Sequence, residues 1–165
     1  MFFLVDAMLG NLARWLRIFG HDVLFANDFE GQSGGGPSDT ELLQMATEEN
    51  RILVTRDKQF ASRLPGAIFV WGTELLDALR AVQDALGLVL HFDQDLARCT
   101  QCNTPLQRVE NKDTVKDAVP AKTYERYDEF WACPNPACGK IFWQGSHFED
   151  IHAIEAQLRI SKTES

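Results

Sequence analysis

The 165-residue chain has no apolar run longer than about five to six residues, against the ~20 that a membrane-crossing helix requires. No membrane partner is expected. Basic residues are missing ahead of the first apolar stretch, MFFLVDAMLG, and Asp6 interrupts that stretch. A secretory leader is therefore not expected, and a cytoplasmic location is. The chain also lacks the basic surplus of a protein that holds nucleic acid by neutralising many phosphates, since its formal net charge is −8. Cysteine is scarce, at four residues. The four fall into two close pairs, and without an export signal metal binding is favoured over disulfides. No internal repeat recurs at periods of 20 to 50 residues.

What is present is the composition of a globular core, 45% hydrophobic and 24% charged, in a length that suits one domain or a domain with a small appendage. Acid is unevenly placed. Residues 1–95 carry 14 acidic and 7 basic side chains, a net of −7, whereas residues 96–165 carry 10 and 9, a net of −1. Carboxylates concentrated in the first part suit a cation site and equally an ordinary solvated surface.

Apolar runs at Phe2 to Val5, Asp22 to Ala26, Ile52 to Thr55 and Ala67 to Trp71 predict four short strands. Between them, Leu9, Leu12, Ala13 and Leu16 recur at helical spacing, with Gly20 as a stop. A second helix starts at Ser38 or Asp39 and turns Leu42, Leu43 and Ala46 inward. A short helix spans Gln59 to Leu64, and a long one, capped by Thr73, carries Leu75, Leu76, Leu79, Val82 and Leu86. Residues 30–38, EGQSGGGPS, read as a mobile loop. Strands alternating with helices predict an α/β domain over residues 1–95, with a mostly parallel central sheet flanked by helices. Residues 96–165 change character: tight turns at cysteines, short β-like pieces, then a helix from about Glu149 to Ile160.

Cys99 and Cys102 have two residues between them, and Cys133 and Cys138 have four. Each short spacing lets a turn aim two sulfurs at one point, and two such turns build a tetrahedral four-thiolate zinc site. Gly139 and the prolines at 134 and 136 fit such a turn. A closed site of this kind leaves no position for water, so its role is structural. It supplies folding energy to a segment too small to bury a core of its own.

Two expected strands run into an acid: Asp6 after FFLV, and Asp57 two residues after ILVT. Asp39 opens the helix that feeds the second of them. Ligands of open parallel sheets bind at the carboxyl ends of the strands. Carboxylates gathered there repel one another unless a hard cation such as magnesium or manganese neutralises them, and such a cation can activate water against a phosphodiester. Each acid singly reads as well as a helix cap or a turn residue. Arg14 and Arg17, with Asn11 one turn earlier, share a helical face. That face is either a phosphate-binding surface beside Asp6 or a solvated one paired to Asp22 or Asp28. His21 and His91 are isolated and read as ordinary surface or core residues.

Three strings in the first half, Asp6-Ala-Met-Leu-Gly-Asn-Leu-Ala-Arg-Trp-Leu-Arg, Asp39-Thr-Glu-Leu-Leu and Arg51-Ile-Leu-Val-Thr-Arg-Asp57, resemble the Mut-seven C-terminal RNase family. So do Arg98-Cys-Thr-Gln-Cys-Asn-Thr-Pro-Leu, Phe130-Trp-Ala-Cys and Ile141-Phe-Trp-Gln-Gly-Ser-His147 in the second. The resemblance runs along almost the whole chain. It implies a PIN-like nuclease domain with a C-terminal zinc ribbon, and a metal-dependent ribonuclease using magnesium or manganese at Asp6, Asp39 and Asp57. It also places Arg14, Arg17 and Arg56 among the family's motif positions, which supports phosphate binding there.

The chain departs from the family pattern in three places. Its connection before Asp39 is lengthened by the glycine-rich insert at 31–37, its second cysteine pair is spaced by four rather than two, and a fourth acid is absent from the expected segment. Glu41, Asp22 and Asp28 are the candidate substitutes for that acid. Lys112, Lys116, Lys122 and Arg126 are candidate RNA contacts on the ribbon, with Tyr124, Tyr127 and Trp131 as either base-stacking residues or ribbon core. Two rivals remain: a non-catalytic RNA- or protein-binding module on a degenerate nuclease fold, and a toxin-type nuclease held by a cognate inhibitor.

Overall fold

The computed structural model describes residues 1–31 and 34–160. Four apolar runs form strands β1 (Phe2–Val5), β2 (Asp22–Phe25), β3 (Ile52–Thr55) and β4 (Ile68–Phe69). They pair in the order β2-β1-β3-β4, every pairing parallel. The strands are apolar on both faces because both faces are covered. Phe3, Val5, Val23 and Val54 point into one core cluster, and Leu4 and Leu53 into another on the opposite side. This is the expected α/β fold.

The first cluster is closed by helices α1 (Gly10–Ile18) and α4 (Leu75–Leu86), the second by α2 (Asp39–Glu48) and α3 (Lys58–Ala61). Helix α1 buries Leu12, Ala13 and Leu16, as its spacing predicts, and also Arg17. Gly20 follows it at φ 81°, where an added Cβ would meet the Leu96 carbonyl oxygen at 2.9 Å, so a side chain is excluded twice over. Ser38 caps α2 in a reciprocal box with Glu41. Thr73 does not cap α4. The capping position is Glu74, without a side-chain bond to the helix, and the Thr73 hydroxyl turns to the Glu74 carboxylate. That helix buries Ala78, Leu79, Val82 and Gln83, leaving Leu75, Leu76 and Leu86 at the edge of the core.

The glycine-rich insert falls partly outside the described residues, at Gln32 and Ser33. Around them Gly31 N–H donates to Gly35 O at 2.8 Å.

In the second half, β5 (Gln107–Arg108), β6 (Phe130–Ala132) and β7 (Ile141–Trp143) form an antiparallel sheet. Val115, Val119 and Phe130 make its small core, with Tyr124 and Tyr127 packed against them beside α5 (Ala121–Arg126). The last helix, α6 (Ser146–Ile160), crosses the boundary expected at residue 95. Its Ile151 and Leu158 sit in the first-half core with α1 and α4. Buried Glu155 anchors it, accepting Phe92 N–H at 3.4 Å and bonding His91 and Arg159. Burial pushes the Glu155 carboxyl up, but those hydrogen bonds outweigh it and hold it below the usual range. Among the described residues, no helix is long and apolar enough to cross a membrane.

Candidate active site and metal centre

The chain leaves β1, crosses to β2 on one side and returns to β3 on the other, so the strand order reverses between β1 and β3. Beyond their carboxyl ends lies the crevice in which open parallel sheets bind ligands. Asp6 and Asp57 both stand there. Asp6 N–H continues the ladder to Val54 O at 3.0 Å. Thr55 joins the two acids: its hydroxyl donates to Asp6 Oδ2 at 2.6 Å and accepts Asp57 N–H at 3.0 Å. The remaining Asp6 oxygen takes Ala7 N–H at 2.6 Å. Asp57 Oδ1 caps α3 through Gln59 N–H and Phe60 N–H at 2.8 and 3.0 Å, and its Oδ2 has no hydrogen-bond partner among the described residues.

Sequence reasoning missed Thr55. Its one local signal was to be the polar residue that ends an apolar strand; the register that sets it beside the residue after Val5 comes from the pairing of β1 with β3.

Asp39 opens α2, the helix that leads from the carboxyl edge of β2 back to the start of β3, so it belongs to the same edge of the sheet. Its carboxylate pairs with Arg63 at 3.2 Å. Asp6, Asp39 and Asp57 do not gather closely. Among the described residues, the four cysteines are the one group of three or more His, Cys, Asp or Glu ligand atoms lying within 4.8 Å of one another.

The candidate fourth acids are otherwise engaged. Asp22 opens β2, in register with Phe2, so it lies at the opposite edge from Asp6, about 13 Å away at 3.3 Å per residue. There it pairs with Arg51 at 2.6 Å and Arg98 at 3.1 Å. Burial raises its pKa, but those partners and Asn103 hold it below the ordinary carboxylate value. Glu41 closes the α2 capping box, taking Ser38 N–H at 2.7 Å. Asp28 pairs with Arg17.

The shared arginine face is not found. Arg17 is 4% exposed and every one of its five N–H donors is committed. Nε donates to Val23 O, Nη2 to Val23 O and Asp28, and Nη1 to Thr100 O and Gln101 O. That leaves no donor for a phosphate. Arg14 and Asn11 remain exposed. Arg56 donates Nη2 to Thr73 O at 2.8 Å and buries its Nε without a partner.

The cysteine turns meet as expected. Sγ–Sγ separations are 3.7 Å for Cys99–Cys138 and 3.4 Å for Cys102–Cys133. A tetrahedron with ~2.3 Å Zn–S bonds has edges of about 3.8 Å, so the four are positioned to bind a metal ion, and the set suits zinc. The wider second spacing is absorbed by Asn135, whose carbonyl accepts both Cys138 N–H and Gly139 N–H at 2.9 Å. The residue after each second cysteine, Asn103 (φ 65°) and Gly139 (φ 58°), is left-handed. Asn103 also ties its turn to the first half by accepting Val23 N–H and donating to Asp22.

With no cation, clustered sulfurs ionise unequally. Burial pushes Cys133 up to about 12. It also opposes ionisation of Cys102, but Thr104, whose hydroxyl oxygen lies 3.3 Å from the sulfur, and the neighbouring thiols pull Cys102 down to about 6.

Comparison with curated proteins and with solved structures gives no significant match. A family profile does match, that of the Mut7-C RNAse domain, over residues 1–154. With the profile spanning nearly the whole chain, both the acidic crevice and the cysteine cluster included, the protein belongs to the Mut7-C RNAse domain family.

Proposed function

We propose that the protein is a metal-dependent ribonuclease that hydrolyses RNA phosphodiester bonds at the β1/β3 crevice. The observation that carries this reading is the pair Asp6 and Asp57 at the carboxyl ends of adjacent strands, linked through Thr55. The donor set fits one hard divalent ion. Two carboxylates, one with a free oxygen, match the habit of magnesium of keeping several waters and taking one or two protein ligands. When bound, such an ion supplies Lewis acidity toward water and the scissile phosphate. The protein's own share is to hold the two carboxylates. Thr55 fixes one Asp6 oxygen, and the α3 amides fix one Asp57 oxygen and leave the other without a hydrogen-bond partner among the described residues. Asp39 joins this set once Arg63 turns to another anion, such as the RNA phosphate. The cysteine cluster would hold a structural zinc, in keeping with a cytoplasmic location where thiols stay reduced.

A second reading, a binding module without catalysis, is favoured by the wide placement of the three aspartates and the Asp39–Arg63 pair. The test is cleavage of labelled RNA with manganese or magnesium, beside an Asp6→Asn, Asp57→Asn double variant. The nuclease reading expects cleavage by the parent and at least a hundredfold less by the variant. Equal rates identify a contaminant and leave the binding module.

A further inference from the structure

A cavity of about 520 Å³ opens between α1, α6 and the ribbon, within the size range of small-molecule sites. Its rim carries Arg14, Lys122, Arg126 and Lys140, and no aspartate or glutamate lines it among the described residues. In a chain of net charge −8, such a one-signed rim is a local reversal of the overall field. Neither do these four cations have a carboxylate within 4.0 Å among the described residues, in contrast to Arg17, Arg51 and Arg98. Its wall is aromatic: Trp131, Phe142, Trp143 and Phe148. Arg126 and Lys140 lie over the Tyr127 and Phe142 rings, at 5.4 and 5.5 Å from the centroids.

Unpaired cations around flat apolar walls match one chemistry, a planar heteroaromatic base with a phosphate on each side. Arg14 reaches the cavity from α1, the helix that begins four residues after Asp6. We propose that this cavity seats an unpaired base of single-stranded RNA, with Arg14, Lys122, Arg126 and Lys140 on its flanking phosphates. This rests on the ribonuclease reading for the choice of RNA. Lys112, by contrast, is occupied by Asp128 at 2.9 Å and plays no part.

The test measures binding apart from cleavage. Fluorescence anisotropy of a fluorescein-labelled eight-nucleotide single-stranded RNA is followed with the full-length Asp6→Asn, Asp57→Asn variant, with no added divalent ion and no chelator. Arg126→Glu and Lys140→Glu, both at exposed positions, are each expected to weaken binding about tenfold. Each should also flatten the log–log salt slope by about 0.7, the single-strand value per phosphate. Trp143→Ala is expected to cost at least fivefold, the lower end for a lost base stack, with circular dichroism reporting whether it folds. Lys116→Glu, an equal reversal outside the cavity, changes affinity less than twofold, and a duplex of the same sequence binds at least tenfold more weakly. Unchanged affinity in both rim reversals, an equal loss in Lys116→Glu, or equal binding of duplex overturns the proposal. Binding that follows this pattern in a parent that cleaves nothing keeps the cavity and removes the nuclease reading.

Discussion

Replacing Arg17 by methionine separates a structural arginine from a phosphate-binding one. Methionine keeps the apolar stem and removes the five N–H donors, leaving Val23 O, Thr100 O and Gln101 O without them. Each orphaned buried acceptor costs about 1–3 kcal/mol. The Gln101 contact, at 3.4 Å, counts least. The Asp28 partner is 40% exposed, so its carboxylate can rehydrate and adds little. One buried carbonyl, Val23 O, and two part-buried ones then imply a loss of roughly 2–4 kcal/mol. That is a large part of a typical stability of about 5–15 kcal/mol. With a urea slope of about 2 kcal/mol per molar, the midpoint falls by roughly 1–2 M. Because Nη1 holds two carbonyls of the first cysteine turn, metal release at a fixed urea concentration, followed with a chromogenic chelator, accelerates as well. Lysine at this position keeps the charge with fewer donors and falls between the two. A midpoint shift below about 0.5 M, with RNA turnover lost, would refute this reasoning and return Arg17 to the substrate.

Thr55→Val removes the hydroxyl that joins Asp6 to Asp57 while keeping the side-chain shape. It should cost about 1 kcal/mol of stability and roughly tenfold in kcat/KM on RNA, and a variant as active as the parent would sink the role given to Thr55. Elemental analysis of the purified chain should find about one zinc per molecule, and Cys133→Ser should retain little of it and lose the ribbon first on heating. Burial lowers His21 from the ordinary 6.5 to about 4, and its Nε2 is buried without a partner. The unfolded chain therefore binds the extra proton first as acid is added. Stability is full above pH 6.5 and declines as pH falls toward 4. His21→Phe, which keeps the ring beside Phe3, should flatten the urea midpoint over that window, and an unchanged slope would remove His21 as its source.

The elements of the fold are written locally. Apolar runs four residues long, helical spacing at Leu12, Ala13 and Leu16, and the Ser38/Glu41 box each act within a few residues, so they can be read in sequence. The cysteine cluster was legible for the same reason, because each turn is a short-range device and two of them need only face each other. Spatial neighbours were not legible. Asp6 and Asp57 came to the same edge of the sheet through the pairing of β1 with β3, across some fifty residues, and Thr55 came to link them only through that register. Asp22 looked like a spare acid until the parallel arrangement put it at the wrong edge. Arg14 and Arg17 are three apart on one helix, yet β2 and the first cysteine turn cover one and leave the other open. Sequence alone determined which segments are strands, helices and metal turns, because propensity and capping are local. Tertiary structure decided which polar groups are free to act, because that depends on which distant backbone atoms arrive to bond them.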